Sequence, residues 1–173
     1  MNKPACGGRV LRPPVAMATG GIVLDDTDRK ILKQLQLDGR LTVSELSERI
    51  ALSATPCARR LKRLEEEGVI NGYRAMIDRN RVQLSTTVFV GVSLDQHNAD
   101  AVHNFEAEIH KMPQIISGYV VSGEYDYLLE VVSSDIQNHE KFLRELLQRS
   151  AVKSLHSCFA MRTVKTGATL PID

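Results

Sequence analysis

Residues 41–64 read LTVSELSERIALSATPCARRLKRL, and the apolar spacing within them decides what kind of domain opens this chain. Thr42 stands three residues before Glu45, the spacing at which a hydroxyl and a carboxylate satisfy each other's backbone donors at a helix start. Val43, Leu46 and Ile50 follow at i, i+3 and i+7, which gives a short helix one apolar face. After the tight connection Ala51-Leu52, Ser53 is placed to cap another helix, and Pro56 falls early in it, where no backbone donor is needed. Cys57, Leu61 and Leu64 then form an apolar seam at i, i+4 and i+7, and Gly68 ends the helix.

On the N-terminal side, LDDTDRKILKQLQLDG (24–39) sets Leu24, Ile31, Leu32 and Leu35 at helical spacing. Acids fill its first turn, where the helix dipole favours them, and Gly39 is placed to cap its end. Three helices with a connection of a few residues between the last two predict a helix-turn-helix, whose later helix enters the DNA major groove by its N-terminal residues. Ser53, Thr55 and Pro56 lie at that tip. From Ser53 to Leu64 the chain carries Arg59, Arg60, Lys62 and Arg63 and no acid. Arg59, Arg60 and Arg63 are expected to project away from the seam toward guanine edges or phosphates, and Lys62 toward the phosphate backbone. A basic helix by itself is more often just a solvated surface; the capped helices and short turn ahead of this one favour double-stranded DNA.

Hydrophobic residues at 43% and charged residues at 25% suffice for a core in each half of a 173-residue soluble chain. No apolar run approaches the roughly 20 residues needed to cross a bilayer. Residues 1–21 hold three of the six prolines and four glycines without any apolar period, so a disordered tail is expected. Lys3, Arg9 and Arg12 interrupt any secretory signal, and Met17, just ahead of the patterned sequence, is a candidate start that would omit residues 1–16. Cys6, Cys57 and Cys158 form no C-x-x-C pair, which points to a reducing cytoplasm and away from a zinc ribbon. The formal charge is +1, yet residues 22–81 carry twelve basic and ten acidic groups and residues 82–173 seven and eleven, so a polyanionic partner belongs to the first part.

Past Gly68, Asn71-Gly72 is a tight-turn dipeptide that predicts a small hairpin or wing. The helix-turn-helix domain is therefore placed at 22–80, a linker at 81–85 and a second domain at 86–173. There Val88, Val90, Val92 and Leu94 alternate along one strand, and Val102, Phe105, Ile109 and Met112 mark a helix stopped at Pro113. Residues 115–121 and 125–132 read as strands joined by Ser122-Gly123-Glu124. A second helix begins near Asp135, and a last strand spans about 152–165. The order β-α-β-β-α-β predicts an α+β, ferredoxin-like domain with both helices on one sheet face. The other face keeps apolar residues and is expected to bury them in a homodimer.

The whole stretch from Leu24 to Lys165 resembles the leucine-responsive and asparagine-responsive (Lrp/AsnC) bacterial regulators. Three motifs carry the likeness: Leu-Ser-x-Thr-Pro-Cys opening the third helix, Leu-Glu-x-x-Gly-x-Ile-x-Gly-Tyr closing it, and Ser-Gly-x-Tyr-Asp-Tyr in the later hairpin. The resemblance implies a sequence-specific transcriptional regulator whose dimers assemble into tetramers or octamers. It also implies an amino acid or related metabolite bound near the hairpin as effector, with no cofactor. Ser122, Gly123 and Asp126 match that turn, with Tyr119, Val121 and Tyr125 beside it. A glycine turn lets backbone donors approach a carboxylate and an acid can receive an α-ammonium, while Gly123 as a plain turn residue and Asp126 as a strand-end cap explain the same letters.

Two other functions are compatible with parts of the pattern. Sirohaem decarboxylases resemble this architecture and use histidines; here His97, His103, His110, His139 and His156 offer no third ligand at fitting spacing to the His103/His110 pair, and they read as surface residues. No catalytic residue and no metal site is expected. An architectural protein would bind all duplexes about equally and lose affinity with salt on each of them.

Overall fold

The computed structural model describes residues 22–149 and 151–173, so the expected tail and Met17 lie outside the described residues. The chain forms two compact units.

The helical unit contains α1 (Asp26–Leu37), α2 (Val43–Arg49) and α3 (Ala54–Glu66). Reciprocal side-chain caps start the first two: Asp25 with Asp28 on α1, and Thr42 with Glu45 on α2. Each pair occupies backbone donors that the first helical turn leaves without an intrahelical partner. Ile31, Leu46, Cys57 and Leu64 are fully buried, so the seam read from the sequence is the core of this unit. Truncating a side chain buried this completely costs about 2–5 kcal/mol for a leucine or isoleucine. The turn between α2 and α3 passes through Ala51 at φ 53°, a left-handed position that glycine more often occupies. Ser53 sits at the N-cap of α3 without a side-chain cap bond.

Gly39 does not cap α1, as its position had suggested; Asp38 is the C-cap residue, in extended conformation. Gly39 instead makes room for Tyr73, since a Cβ there would stand 3.3 Å from the tyrosine ring. Tyr73 donates its hydroxyl proton to Glu65 at 3.0 Å and so ties the end of α3 to the turn after α1. The expected hairpin or wing is not formed: residues 68–85 carry no strand. Asn71-Gly72 makes no turn, although Gly72 takes φ 151°, and residues 78–84 close instead into turns through Arg81 N to Asp78 O and Leu84 N to Arg79 O.

The sheet unit runs β1 (Thr86–Leu94), α4 (Ala99–Ile109), β2 (Ile115–Val120), β3 (Tyr127–Ser133), α5 (Ile136–Leu147) and β4 (Val152–Phe159). Its strands lie in the order β2-β3-β1-β4 and every pairing is antiparallel, the ferredoxin-like arrangement. Val88, Val90, Val92, Leu129 and Val131 are fully buried against Phe105 of α4 and Phe142 and Leu146 of α5. Alternation puts Phe89, Tyr119 and Leu128 on the opposite face, where Phe89 is 40% and Tyr119 59% exposed.

Two expectations for this half change. The last strand ends at Phe159, and residues 165–173 belong to the helical unit. His139 is not a surface residue. It is 2% exposed, lies in α5 against Phe142 and Phe159, and burial pushes its imidazole below the ordinary value.

Candidate nucleic-acid interface and effector turn

The basic residues of α3 fall on two sides of the helix with different surroundings. Thr55, Arg59 and Lys62 recur at i, i+4 and i+7, are exposed, and make one stripe that begins beside the exposed Ser53. Pro56 is half-buried in the first turn. The stripe ends in an exposed ion pair from Lys62 to Glu66 at 3.6 Å.

Arg60 and Arg63 are turned toward protein, contrary to the expectation that they project outward. Arg60 contacts Asp25 at 2.5 Å and Asp28 at 3.0 Å, and Arg63 pairs with the other oxygen of Asp28. Asp28 is fully buried, whereas the Arg60 and Arg63 side chains keep 27% and 42% exposure. Arg60 immediately follows Arg59 and Arg63 lies about one turn beyond it, so a shift of about one residue in the seam decides which guanidinium meets an acid. The sequence showed Asp25 and Asp28 as dipole-favouring acids, and nothing in their spacing signalled partners more than thirty residues away.

Asp28 is the buried half of this clasp. A carboxylate removed from water is tolerable only when paired and hydrogen-bonded, and here two guanidinium groups and the Asp25 backbone donor supply the partners. Asp25 is held below the usual carboxylate range by the backbone N–H of Asp28 first and by Arg60 second. Beside the clasp, Arg59, Arg60 and Arg63 line a recess of about 230 Å³ with Asp25 at its edge.

In the sheet unit, the turn from Val121 to Asp126 is closed by Val121 N to Asp126 O at 3.1 Å. Gly123 takes φ 127°, a conformation that side chains rarely adopt, and the space where its Cβ would stand is open. Ser122 is exposed, and Val121 and Tyr125 are half-buried. Both oxygens of Asp126 are already engaged. Oδ2 accepts the Leu94 backbone N–H at 2.7 Å and Oδ1 meets His97 Nε2 at 3.0 Å, and these contacts, the backbone bond foremost, keep its carboxyl low. Asp126 therefore locks the end of β1 to the hairpin, the strand-end role left open in the sequence.

Tyr125 lies flat across Gly91, where a Cβ would come within 2.6 Å of its ring, and it stacks on His156 at 5.7 Å. Sequence reading missed Gly91 and His156 as neighbours of the turn. The available signal was a glycine in the middle of a valine-rich strand, which marks a close approach. Among the described residues, no group of three or more His, Cys, Asp or Glu side chains is arranged to hold a metal ion, and no helix is long and apolar enough to cross a membrane.

The clasp makes a thermodynamic prediction. Asp28→Ala leaves two guanidiniums without their buried partner and should destabilise the helical unit by about 3 kcal/mol in denaturant unfolding. Asp25→Asn should cost less. Because the Asp25 carboxyl is depressed from 3.8, its contribution is present above that pH and fades as pH falls below it, so the variant and the parent should converge in acid. A parent–variant gap that persists undiminished at pH 2 would contradict this assignment.

Comparison with known proteins agrees with both units. The family model for the winged helix-turn-helix DNA-binding domain matches residues 24–71, and that for the Lrp/AsnC ligand binding domain matches residues 87–170. The chain is 39% identical to the leucine-responsive regulatory protein of Salmonella typhimurium over 86% of its own length and 92% of the relative's. It is equally similar, at 39%, to the Bkd operon transcriptional regulator of Pseudomonas aeruginosa, covering 86% of this chain and 98% of that one. Among solved structures, a Neisseria meningitidis transcriptional regulator in complex with L-methionine superposes with a TM-score of 0.82 at 40% identity, covering 86% and 97% of the two chains. Fold, motifs and similarity along nearly the full length of named regulators converge: this chain belongs to the Lrp/AsnC family of transcriptional regulators.

Proposed function

We propose that the chain is a transcriptional regulator that reads duplex DNA with the exposed stripe of α3 and answers to an amino acid bound at the sheet unit. The observation that carries the DNA reading is the division of labour on α3. Arg60 and Arg63 are held by Asp25 and Asp28, which leaves Ser53, Thr55, Arg59 and Lys62 facing solvent along one stripe that starts at the leading end of the helix. Arg59 has the forked geometry for a guanine edge or a phosphate, Lys62 is a point charge suited to phosphate, and the two hydroxyls reach backbone oxygens.

The effector reading rests on the Gly123 turn and on the relatives' naming for leucine and crystallisation with L-methionine. Backbone donors of Ser122 and Gly123 would receive the carboxylate, with Tyr119, Val121 and Tyr125 beside it, while Asp126 holds the turn in shape. The open face of the sheet, with Phe89 and Tyr119 exposed, pairs with a second copy, and such dimers build the larger assemblies. The proteins named among the relatives are regulators of transcription, and a cytoplasmic site of action follows from that role.

Three measurements test this. In gel-shift titrations Arg59→Ala should lose about 1–3 kcal/mol of operator binding, and Lys62→Ala should lower the salt slope by about one; unchanged binding in both would remove α3 from the groove. In calorimetry Tyr119→Ala should weaken L-leucine or L-methionine binding at least roughly fivefold. Parental affinity there would move the effector elsewhere. By light scattering Phe89→Asp should shift the protein toward monomer, because Glu130 lies directly opposite on β3 and a second carboxylate on the pairing face has a like charge as its neighbour; an unaltered assembly would put the dimer on another surface.

A further inference from the structure

We infer that residues 165–173 are a working part of the helical unit, a strap across α1 that completes the DNA-binding fold from a segment lying beyond the ferredoxin-like domain in sequence. Gln36, in the last turn of α1, pairs its side-chain amide with the backbone of Leu170 in both directions. The Leu170 N–H donates to Gln36 Oε1 at 2.5 Å, and Gln36 Nε2 donates to the Leu170 carbonyl at 3.3 Å. A primary amide held edge-on to a peptide group offers the same donor and acceptor as a neighbouring strand. Two residues on, Ile172 packs against the buried cluster that contains Ile31, Leu32, Cys57 and Leu64. Leu170 is 71% exposed, so of the two side chains only that of Ile172 reaches the core, and Leu170 contributes its backbone alone. Gly167, at φ 61°, supplies the bend ahead of the contact.

The strap bears on function through α1. The helix that Gln36 and Ile172 steady at one end carries at its other end Asp25 and Asp28, which hold Arg60 and Arg63 and so orient the face of α3 that shows Arg59. The ferredoxin-like domain is thereby inserted between two pieces of the unit that reads DNA. The strap itself stands on the packing of this unit alone; only its effect on affinity rests on the proposed placement of α3 on DNA.

The backbone and side-chain roles separate cleanly in the full-length protein. Hydrogen exchange read by mass spectrometry should show Leu170→Ala exchanging like the parent, because only backbone atoms of that residue are used. Leu170→Pro, which removes the donor, and Ile172→Asp, which places a charge against the core, should each speed exchange of the α1 amides from Ile31 to Leu37 roughly tenfold while β1 and β3 stay protected. Both should also weaken binding to a random-sequence duplex at low ionic strength a few-fold. Parental α1 exchange in both variants, or equal loss in Leu170→Ala, would overturn the strap. Faster α1 exchange with undiminished duplex affinity would uphold the strap and count instead against the placement of α3 on DNA.

Discussion

The helical unit depends on one buried carboxylate. Asp28 has no contact with solvent, and an ionised group in that position destabilises a fold unless opposite charges are held against it. Arg60 and Arg63 meet that demand, and in doing so they set the rotation of α3 about its own axis relative to α1. Every other assignment on α3 follows. Cys57 and Leu64 point inward because the clasp and the apolar seam lie on adjacent sides, and Thr55, Arg59 and Lys62 point outward because no side is left for them but the solvent. A helix often read as a row of equivalent cations is thus divided into structural and available ones. In the proposed DNA reading, electrostatic attraction to a polyanion would fall on the available ones and act over a distance comparable to the Debye length of about 8–10 Å.

The sheet unit uses a similar economy. Asp126 is spent on a backbone N–H and a histidine, and Tyr125 rests on Gly91, so the turn around Gly123 is shaped by groups that are themselves fully occupied. What remains open is backbone, together with the exposed Ser122 and Tyr119. That suits a site in which the ligand's common groups meet main-chain donors and its variable side chain meets aromatic surface, since a rigid frame lowers the ordering cost of binding. The covered face of the same sheet is closed by Phe105 and Phe142, and the uncovered one is left with Phe89 and Leu128.

The two units are not two consecutive stretches of sequence. Residues 165–173 return to α1 after β4, where a side-chain amide stands in for a strand edge and a single isoleucine enters the core. A small three-helix unit buries a modest core, so even one half-buried aliphatic group and two hydrogen bonds are a meaningful share of what holds it.

The sequence by itself determined the elements and their order. Thr42 and Glu45 mark a helix start, Cys57, Leu61 and Leu64 a buried seam, and Val88 to Leu94 a half-buried strand, because caps and apolar periods are local and act within one or two turns. The ferredoxin-like order and the turn at Gly123 were legible for the same reason. Only the tertiary structure decided which arginines of α3 are free, why Gly39 and Gly91 are glycines, that His139 is buried, and that Ile172 belongs with Ile31. Each of those depends on atoms brought together across long separations, where charge pairing and close packing respond to position in space and leave no period in the chain.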